Sequence, residues 1–220
     1  MSHISLCRNH HIYQKEVVTI KLTNKDKDVF QIFKATPYAD AQALKDIGIT
    51  QNRINSYVKE GLLQKISYNP DFRGKSDKLK KCFRITKKAQ KMAQKQWKMS
   101  IFVSTDRRTC RHDVEISRQI SKLTTEERST IVSEHGYKNL VLQTASLERD
   151  RGNEELYKGL WDSIHNKNFS APDFTYQTVS ETGQISFVSV EIITDHYGES
   201  ELLAKEETAT ILGSYIEVKI

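Results

Sequence analysis

The sequence has few cysteines and prolines and contains no long apolar run. Its three cysteines lie far apart, at positions 7, 82 and 110, which is not the spacing of a disulfide framework. The N-terminal region has no uninterrupted apolar segment, so we predict neither a signal peptide nor a membrane-spanning helix. Three prolines and nine glycines among 220 residues argue against a disordered tail. We therefore expect a cytoplasmic protein with room for two domains of ordinary size.

Charged residues divide the chain into two halves of opposite sign. Residues 1–100 contain 21 Lys and Arg against 8 Asp and Glu, whereas residues 101–220 contain 13 against 20, which together give the net charge of +6. A basic segment attracts phosphates, and an acidic segment beside it suggests a different partner. We therefore predict two domains, over residues 1–100 and 101–220, the first binding nucleic acid and the second recruiting other proteins.

Residues 40–66 have the pattern of a helix-turn-helix. A first helix with apolar residues at helical spacing ends at Gly48, and Thr50 is a typical N-cap for a second helix. The exposed side of the second helix is hydrogen-bonding and cationic, like side chains that contact base edges and phosphates in a major groove. The residues of that side are Gln51, Asn52, Arg53, Asn55, Ser56 and Lys59.

A β-hairpin with a basic tip follows this second helix. Residues 62–68 and 80–85 flank a Pro-Asp-x-x-Gly-Lys-Ser loop, and a helix resumes at Thr86. A lysine run is also typical of a solvated helix face, but here it is interleaved with the hairpin, which favours contact with DNA. The predicted phosphate contacts are Arg73, Lys75, Lys78, Lys80 and Lys81. Together, residues 40–98 predict a winged helix-turn-helix that binds double-stranded DNA.

The second half predicts a small α/β domain, so the whole chain is expected to be α+β or α/β. The predicted elements are helices over residues 112–123 and 124–135, a strand over 140–144, two strands from 172 and over 185–194, a helix over 199–212 and a strand over 214–220. The two middle strands are joined by a Gly-containing turn at 180–183, which predicts a hairpin. Trp161 is predicted to lie in the core.

Two carboxylates fall on the strands of that hairpin. Asp173 stands at the start of the first strand and Glu191 lies inside the second. Carboxylates on adjacent strands can together hold a divalent cation such as Mg²⁺, which prefers oxygen ligands. Such an ion would polarise a phosphodiester and lower the pKa of an attacking water. The sequence therefore offers Asp173 and Glu191 as candidate metal ligands.

This arrangement resembles the Pro-Asp…(Asp/Glu)-x-Lys pattern of restriction-endonuclease-like nucleases. The resemblance implies that Asp173 and Glu191 are catalytic, with Glu134 as an additional acidic residue. The lysine expected two residues after Glu191 is replaced by Ile193, which can neither stabilise developing charge nor orient a water. Lys205, on the following helix, would have to substitute for it. The alternative is a nuclease-like fold without activity.

The order of the parts is similar to that of the replication-relaxation family, which plasmids and integrative elements carry. The similarity covers roughly residues 40–215 and rests on the winged helix, a helix starting at His112, Ser133-Glu134, Pro172-Asp173, Val190-Glu191-Ile and Lys205. It implies DNA handling on a mobile element, in replication, mobilisation or relaxation. The winged-helix half also resembles MarR-type regulators, in Glu60-Gly-Leu-Leu and Phe83-Arg-Ile-Thr-Lys-Lys-Ala. His112 could be catalytic, but a histidine at the start of an amphipathic helix is more often a packing or capping residue, and it is interpreted as such.

Three functions stay open at this point. The favoured hypothesis is a sequence-specific double-stranded DNA-binding protein of a plasmid, integrative element or phage, with an inactive nuclease-like domain, because Ile193 replaces the lysine. Its acidic half would contact other replication or mobilisation proteins, and a homodimer is left open. The second hypothesis is a Mg²⁺-dependent endonuclease that uses Asp173 and Glu191. The third is a transcriptional regulator whose C-terminal domain dimerises or senses a ligand.

Overall fold

A computed structural model describes residues 20–70, 78–99, 102–103, 110–195 and 197–220 of the chain. Over these ranges the protein is a mixed α+β structure with two β-sheets. None of the helices in the described ranges is both long and apolar enough to cross a membrane. Arg73 and Lys75 lie outside the described residues, as does most of the basic loop to which they belong.

The first sheet belongs to the basic half of the chain. Its strands pair antiparallel in the order β1-β3-β2. The elements of this half are α1 (Asn24–Ala35), β1 (Tyr38–Ala39), α2 (Ala41–Asp46), α3 (Gln51–Lys59), β2 (Leu63–Tyr68), β3 (Lys80–Ile85) and α4 (Lys87–Trp97).

Side-chain caps and glycines set the helix ends in this half. The side chains of Asp40, Thr50 and Thr86 accept hydrogen bonds from the backbone three residues later, which satisfies amides that a helix leaves unpaired. Gly48 follows α2 with φ +79°, a conformation that other residues adopt only with strain. The caps and the glycine are local sequence signals. The helices predicted before and after the turn at Gly48 are confirmed as α2 and α3.

The second sheet belongs to the acidic half. Its order is β4-β5-β6-β7, with antiparallel pairing except between β6 and β7, which are parallel. The elements of this half are α5 (Cys110–Ser121), α6 (Thr125–Ser129), β4 (Val132–Ser133), α7 (Glu134–Asp150), α8 (Glu154–His165), β5 (Phe174–Val179), β6 (Ile185–Ile193), α9 (Glu199–Thr210) and β7 (Gly213–Lys219).

Three sequence-based expectations for this half are wrong. The strand predicted over residues 140–144 is part of α7, because the buried positions Tyr137, Val141 and Ala145 repeat every four residues, which is a helical and not a strand period. The helix predicted over 124–135 is two helices separated by β4, whose Val132 pairs with β5. Trp161 lies on α8, which was not predicted, and is 43% exposed instead of buried in the core.

Helix α5 lies between the two sheets and positions part of the site. Its buried Ile116 and Ile120 belong to one apolar cluster that contains residues of α1 as well as Val190 and Ile192 of β6. A separate cluster around Tyr137 packs α7 against α8. Because α5 touches β1, α2 and β6, its first turn is held beside the edge where β5 begins.

Candidate metal centre

The two predicted carboxylates face each other across β5 and β6. The register pairs Phe174 with Val190, so Asp173 stands opposite Glu191 and their side chains share one face of the sheet. The backbone N of Asp173 donates to Glu191 Oε2 at 3.1 Å, and the backbone N of Ile192 donates to Asp173 Oδ2 at 2.8 Å. Both carboxylates are buried, with 8% of Asp173 and 0% of Glu191 exposed. The expected proximity of the pair is confirmed.

Lys205 reaches Glu191 from helix α9. Its Nζ lies 2.9 Å from Glu191 Oε1 and donates to the carbonyl O of Ala171 at 3.1 Å. Tyr197, just before α9, donates its hydroxyl to the same Glu191 oxygen at 2.8 Å. Ile193 is buried near the end of β6 and offers no charge. The structure therefore places an ammonium group beside the acidic pair. This group comes from α9 and not from position 193, where the nuclease pattern has its lysine.

His112 approaches the pair from the first turn of α5. Its Nε2 lies 3.1 Å from Asp173 Oδ2, and its Nδ1 lies 3.9 Å from Asp113 Oδ1. Nε2 is buried and makes no hydrogen bond, so its contact with Asp173 has the distance of an ion pair but not the geometry of a hydrogen bond. Ligand atoms of His112, Asp173 and Glu191 all lie within 4.8 Å of one another, which is close enough for one metal ion.

Electrostatics in this centre reflect two acids in a small buried space. Burial and the neighbouring charge of Asp173 raise the pKa of Glu191 to about 7, although Lys205 and Tyr197 act in the opposite direction. Burial lowers the pKa of His112, but the carboxylates of Asp113 and Asp173 outweigh it and raise that pKa to about 10. A divalent cation would compensate the negative charge that the two acids share.

Glu134 does not join this group. It begins α7, and its backbone N donates to the carbonyl O of Asp173 at 3.1 Å, but the residue is exposed. Among the described residues, the cluster of potential metal ligands contains His112, Asp173 and Glu191 and not Glu134. The expectation of Glu134 as a further acidic residue of the site is therefore not supported by its position.

The predicted DNA-contacting side of α3 is exposed except at two positions. Ser56 is partly buried and donates its hydroxyl to the carbonyl O of Asn52 at 2.9 Å. Arg53 pairs with Asp26 of α1 at 2.6 Å and donates to the carbonyl O of Lys21 at 2.9 Å. Arg53 thus anchors α3 to the start of α1, and the expectation that it points to base edges does not fit its geometry. The exposed members of the set are Gln51, Asn52, Asn55 and Lys59.

A basic cleft connects the β2–β3 hairpin to α5. The predicted phosphate contacts Lys78, Lys80 and Lys81 are exposed at the start of β3. The cleft has a volume of about 430 Å³, and its charged lining residues are Lys80, Arg111, Arg118 and Glu115. Arg118 is paired with Glu115 at 3.1 Å and with Asp40 at 2.7 Å, so Lys80 and Arg111 give the cleft its basic character. None of His112, Asp173 and Glu191 lines this cleft, which lies between the hairpin and the outer side of α5.

His112 is the residue of the centre that sequence reasoning missed. It lies far from Asp173 along the chain, and a histidine in the first turn of an amphipathic helix has no pattern that separates a ligand from a packing residue. Only the packing of α5 against β6 brings it to the acidic pair.

Comparison with known proteins adds no relative to this description. No family model matches the sequence, and no curated protein or solved structure matches it either.

Proposed function

We propose that this protein binds double-stranded DNA and cleaves or nicks it with a divalent metal ion held by Asp173 and Glu191. The observation that carries the proposal is the position of Lys205, whose Nζ lies 2.9 Å from Glu191 Oε1 on the same side as the acidic pair. The sequence favoured an inactive domain because Ile193 stands where a lysine is expected. Lys205 places a cation beside Glu191 from α9, which weakens that objection.

The fold around the acidic pair supports the same function. Strands β4, β5, β6 and β7 form a mixed four-stranded sheet, antiparallel except for β6 and β7, and helices α5, α6, α7 and α9 contact it. This arrangement resembles the restriction-endonuclease-like domain that the Pro-Asp and Glu pattern implied. The hairpin of α7 and α8 is then an insertion between the first two strands.

Each residue of the centre has a defined contribution to hydrolysis. When bound, a divalent ion polarises the phosphodiester and lowers the pKa of the attacking water. Asp173 is oriented by the backbone N of Ile192, and Glu191 by Tyr197 and the backbone N of Asp173. The Lys205 ammonium stabilises the charge that develops as water attacks phosphorus and the bond to the sugar oxygen breaks. The products are a phosphomonoester and a hydroxyl.

DNA binding is assigned to the basic half. The order α1, β1, α2, α3, β2 and β3 is compatible with a winged helix-turn-helix, whose recognition helix would be α3 in the major groove. The exposed polar side of α3 and the lysines at the start of β3 have the chemistry that contacts base edges and phosphates. Lys80 and Arg111, which line the cleft beside the hairpin, would contact the DNA backbone.

Incubation of supercoiled and linear DNA with the purified protein, with and without Mg²⁺ or Mn²⁺, tests this proposal. We expect metal-dependent nicks or breaks that disappear in Asp173→Asn and Glu191→Gln, while binding in a gel-shift assay persists because α3 is separate from the centre. Asp162→Asn, at an exposed position of α8, is the matched control and retains cleavage. Cleavage that survives in Asp173→Asn, or no cleavage with either metal, contradicts the enzymatic proposal.

A DNA-binding protein without nuclease activity is the second candidate, and Ile193 at the lysine position favours it. In that case the acidic half contacts other proteins, and the likeness to replication-relaxation proteins points to replication or mobilisation of a mobile element. DNA binding without cleavage in the same assay would select this candidate.

A further inference from the structure

We infer that His112 is a third ligand of the metal centre and that it gives the centre a preference for divalent transition-metal ions such as Mn²⁺ over Mg²⁺. This inference rests on the proposed function only in that Asp173 and Glu191 hold the ion. It adds a ligand from another element and names the class of metal.

The first support is the state of the His112 side chain. Its Nε2 is buried, lies 3.1 Å from Asp173 Oδ2 and makes no hydrogen bond. Buried polar atoms in native proteins are almost always paired, and an exception points to an ion or water beside it. An imidazole nitrogen without a hydrogen-bond partner, directed at two carboxylates, is the arrangement of a metal ligand.

The spacing of the atoms is compatible with an ion shared by His112 and Asp173. Two ligands at right angles on one ion lie about 3 Å apart when each metal–ligand distance is about 2.1 Å. The 3.1 Å between His112 Nε2 and Asp173 Oδ2 agrees with that value. Asp173 Oδ2 accepts a hydrogen bond from the backbone N of Ile192, whereas Nε2 of His112 makes none to it, so its place beside Asp173 is also open to an ion between them.

The other ring nitrogen also fits this role. Metal-bound histidines usually present their second nitrogen to a carboxylate or carbonyl, which fixes the orientation of the ring. The Nδ1 of His112 lies 3.9 Å from Asp113 Oδ1, and Asp113 is itself buried on α5. The Asp113 carboxylate thus lies on the Nδ1 side of the ring, and Nε2 lies on the side of Asp173 and Glu191.

The ligand set determines which ion is preferred. Mg²⁺ prefers oxygen ligands and strict octahedral geometry, so an imidazole adds little to its binding. Imidazole nitrogen is a good ligand for transition metals, and Mn²⁺ also accepts carboxylates. One imidazole and two carboxylates within 4.8 Å therefore favour Mn²⁺ over Mg²⁺.

Metal binding by the purified full chain, stripped with a chelator, tests the inference without DNA. Mn²⁺ affinity is measured by calorimetry and Mg²⁺ affinity by competition with Mn²⁺. We expect the wild type to prefer Mn²⁺ by about tenfold or more, and His112→Ala and His112→Asn to lose about tenfold in Mn²⁺ affinity with little change for Mg²⁺. His165→Ala, at an exposed histidine of α8, is the control and keeps the wild-type preference.

The two His112 variants are checked by circular dichroism, and His112→Asn keeps a polar side chain of similar size in the event that the alanine variant unfolds. An unchanged ratio of Mn²⁺ to Mg²⁺ affinity in folded His112→Asn overturns the inference, as does a wild type that binds neither ion. If the wild type cleaves DNA while that ratio is unchanged, the inference falls and the proposed function stands. If Mn²⁺ binding depends on His112 but no DNA is cut, the inference stands and the proposed cleavage falls.

Discussion

Two buried groups of acidic and basic side chains lie in this protein, and they differ in the number of acids that each contains. In the first, Asp26 is 2% exposed and accepts hydrogen bonds from Arg53, Tyr57 and Thr23. Burial raises the pKa of Asp26, but these donors outweigh burial and the pKa lies below its ordinary value. One carboxylate with an arginine and two further donors forms a closed structural group.

The second group has two carboxylates: Glu191 is bound by Lys205, Tyr197 and the backbone N of Asp173, and Asp173 by the backbone N of Ile192. Burial and the charge of Asp173 raise the pKa of Glu191 to about 7, and the Nε2 of His112 makes no hydrogen bond. The difference lies in the number of acids, because here two carboxylates repel each other at close range although Lys205 and His112 face them. A single buried acid with its partners holds elements together, whereas two acids whose repulsion raises a pKa suit an added cation.

The largest effect that we expect is on stability, and it separates the two groups directly. Asp26→Asn should lower the free energy of unfolding by about 3 kcal/mol, because it breaks a buried ion pair and leaves Arg53 without its carboxylate. Asp173→Asn, measured without metal, should cost less than Asp26→Asn, since the lost attraction to His112 is offset by the lost repulsion with Glu191 and the Asn Oδ1 can still accept from Ile192. Urea unfolding in chelator measures both.

Equal losses of unfolding free energy in Asp26→Asn and Asp173→Asn would contradict the distinction between the single-acid group around Asp26 and the two-acid group around Glu191. Asp162→Asn, at an exposed position, controls for the change of charge alone.

Element types near the acidic pair could be predicted because their signals are local. The β-branched residues of β6 and the glycine of the turn indicated a hairpin, and Asp173 and Glu191 were expected on it. By contrast, the apolar run at residues 140–142 has no strong period of its own, so only its packing within α7 identified a helix. His112 was missed because its role depends on a contact between α5 and the sheet.

A second expected effect concerns DNA affinity, and it distinguishes a structural role of Arg53 from a role in DNA contact. Asn52 is exposed on α3, so Asn52→Ala should weaken binding to a preferred DNA site by about 1–3 kcal/mol while leaving the unfolding free energy almost unchanged. Arg53→Ala should mainly lower stability, because its guanidinium is bound to Asp26. Gel-shift titrations paired with urea unfolding measure the two effects.

A loss of sequence preference in Arg53→Ala, at temperatures where the variant stays folded, would show that this arginine contacts DNA despite its ion pair. Gln42→Ala, at an exposed position of α2 outside the predicted contact side, is the control for surface changes.

The smallest effect is a pH dependence of stability that comes from Glu191 beside Asp173. The pKa of Glu191 is raised in the folded protein to about 7, above its ordinary value of 4.5. Between these values the folded state binds more protons than the unfolded state, so in chelator this residue lowers the unfolding free energy as pH rises from about 4.5 to 7. The slope is at most about 1.4 kcal/mol per pH unit.

Glu191→Gln should therefore remove that contribution, and the difference in stability between variant and wild type should change with pH in this window. His112 contributes in a higher window, because its pKa is raised from 6.5 to about 10, so its stabilisation is complete below 6.5 and is lost as pH rises towards 10. Glu181→Gln, at an exposed glutamate, serves as the matched control. A difference between Glu191→Gln and the wild type that stays constant from pH 4.5 to 7 would mean that Glu191 is balanced as fully as Asp26, and the contrast between the two groups would disappear.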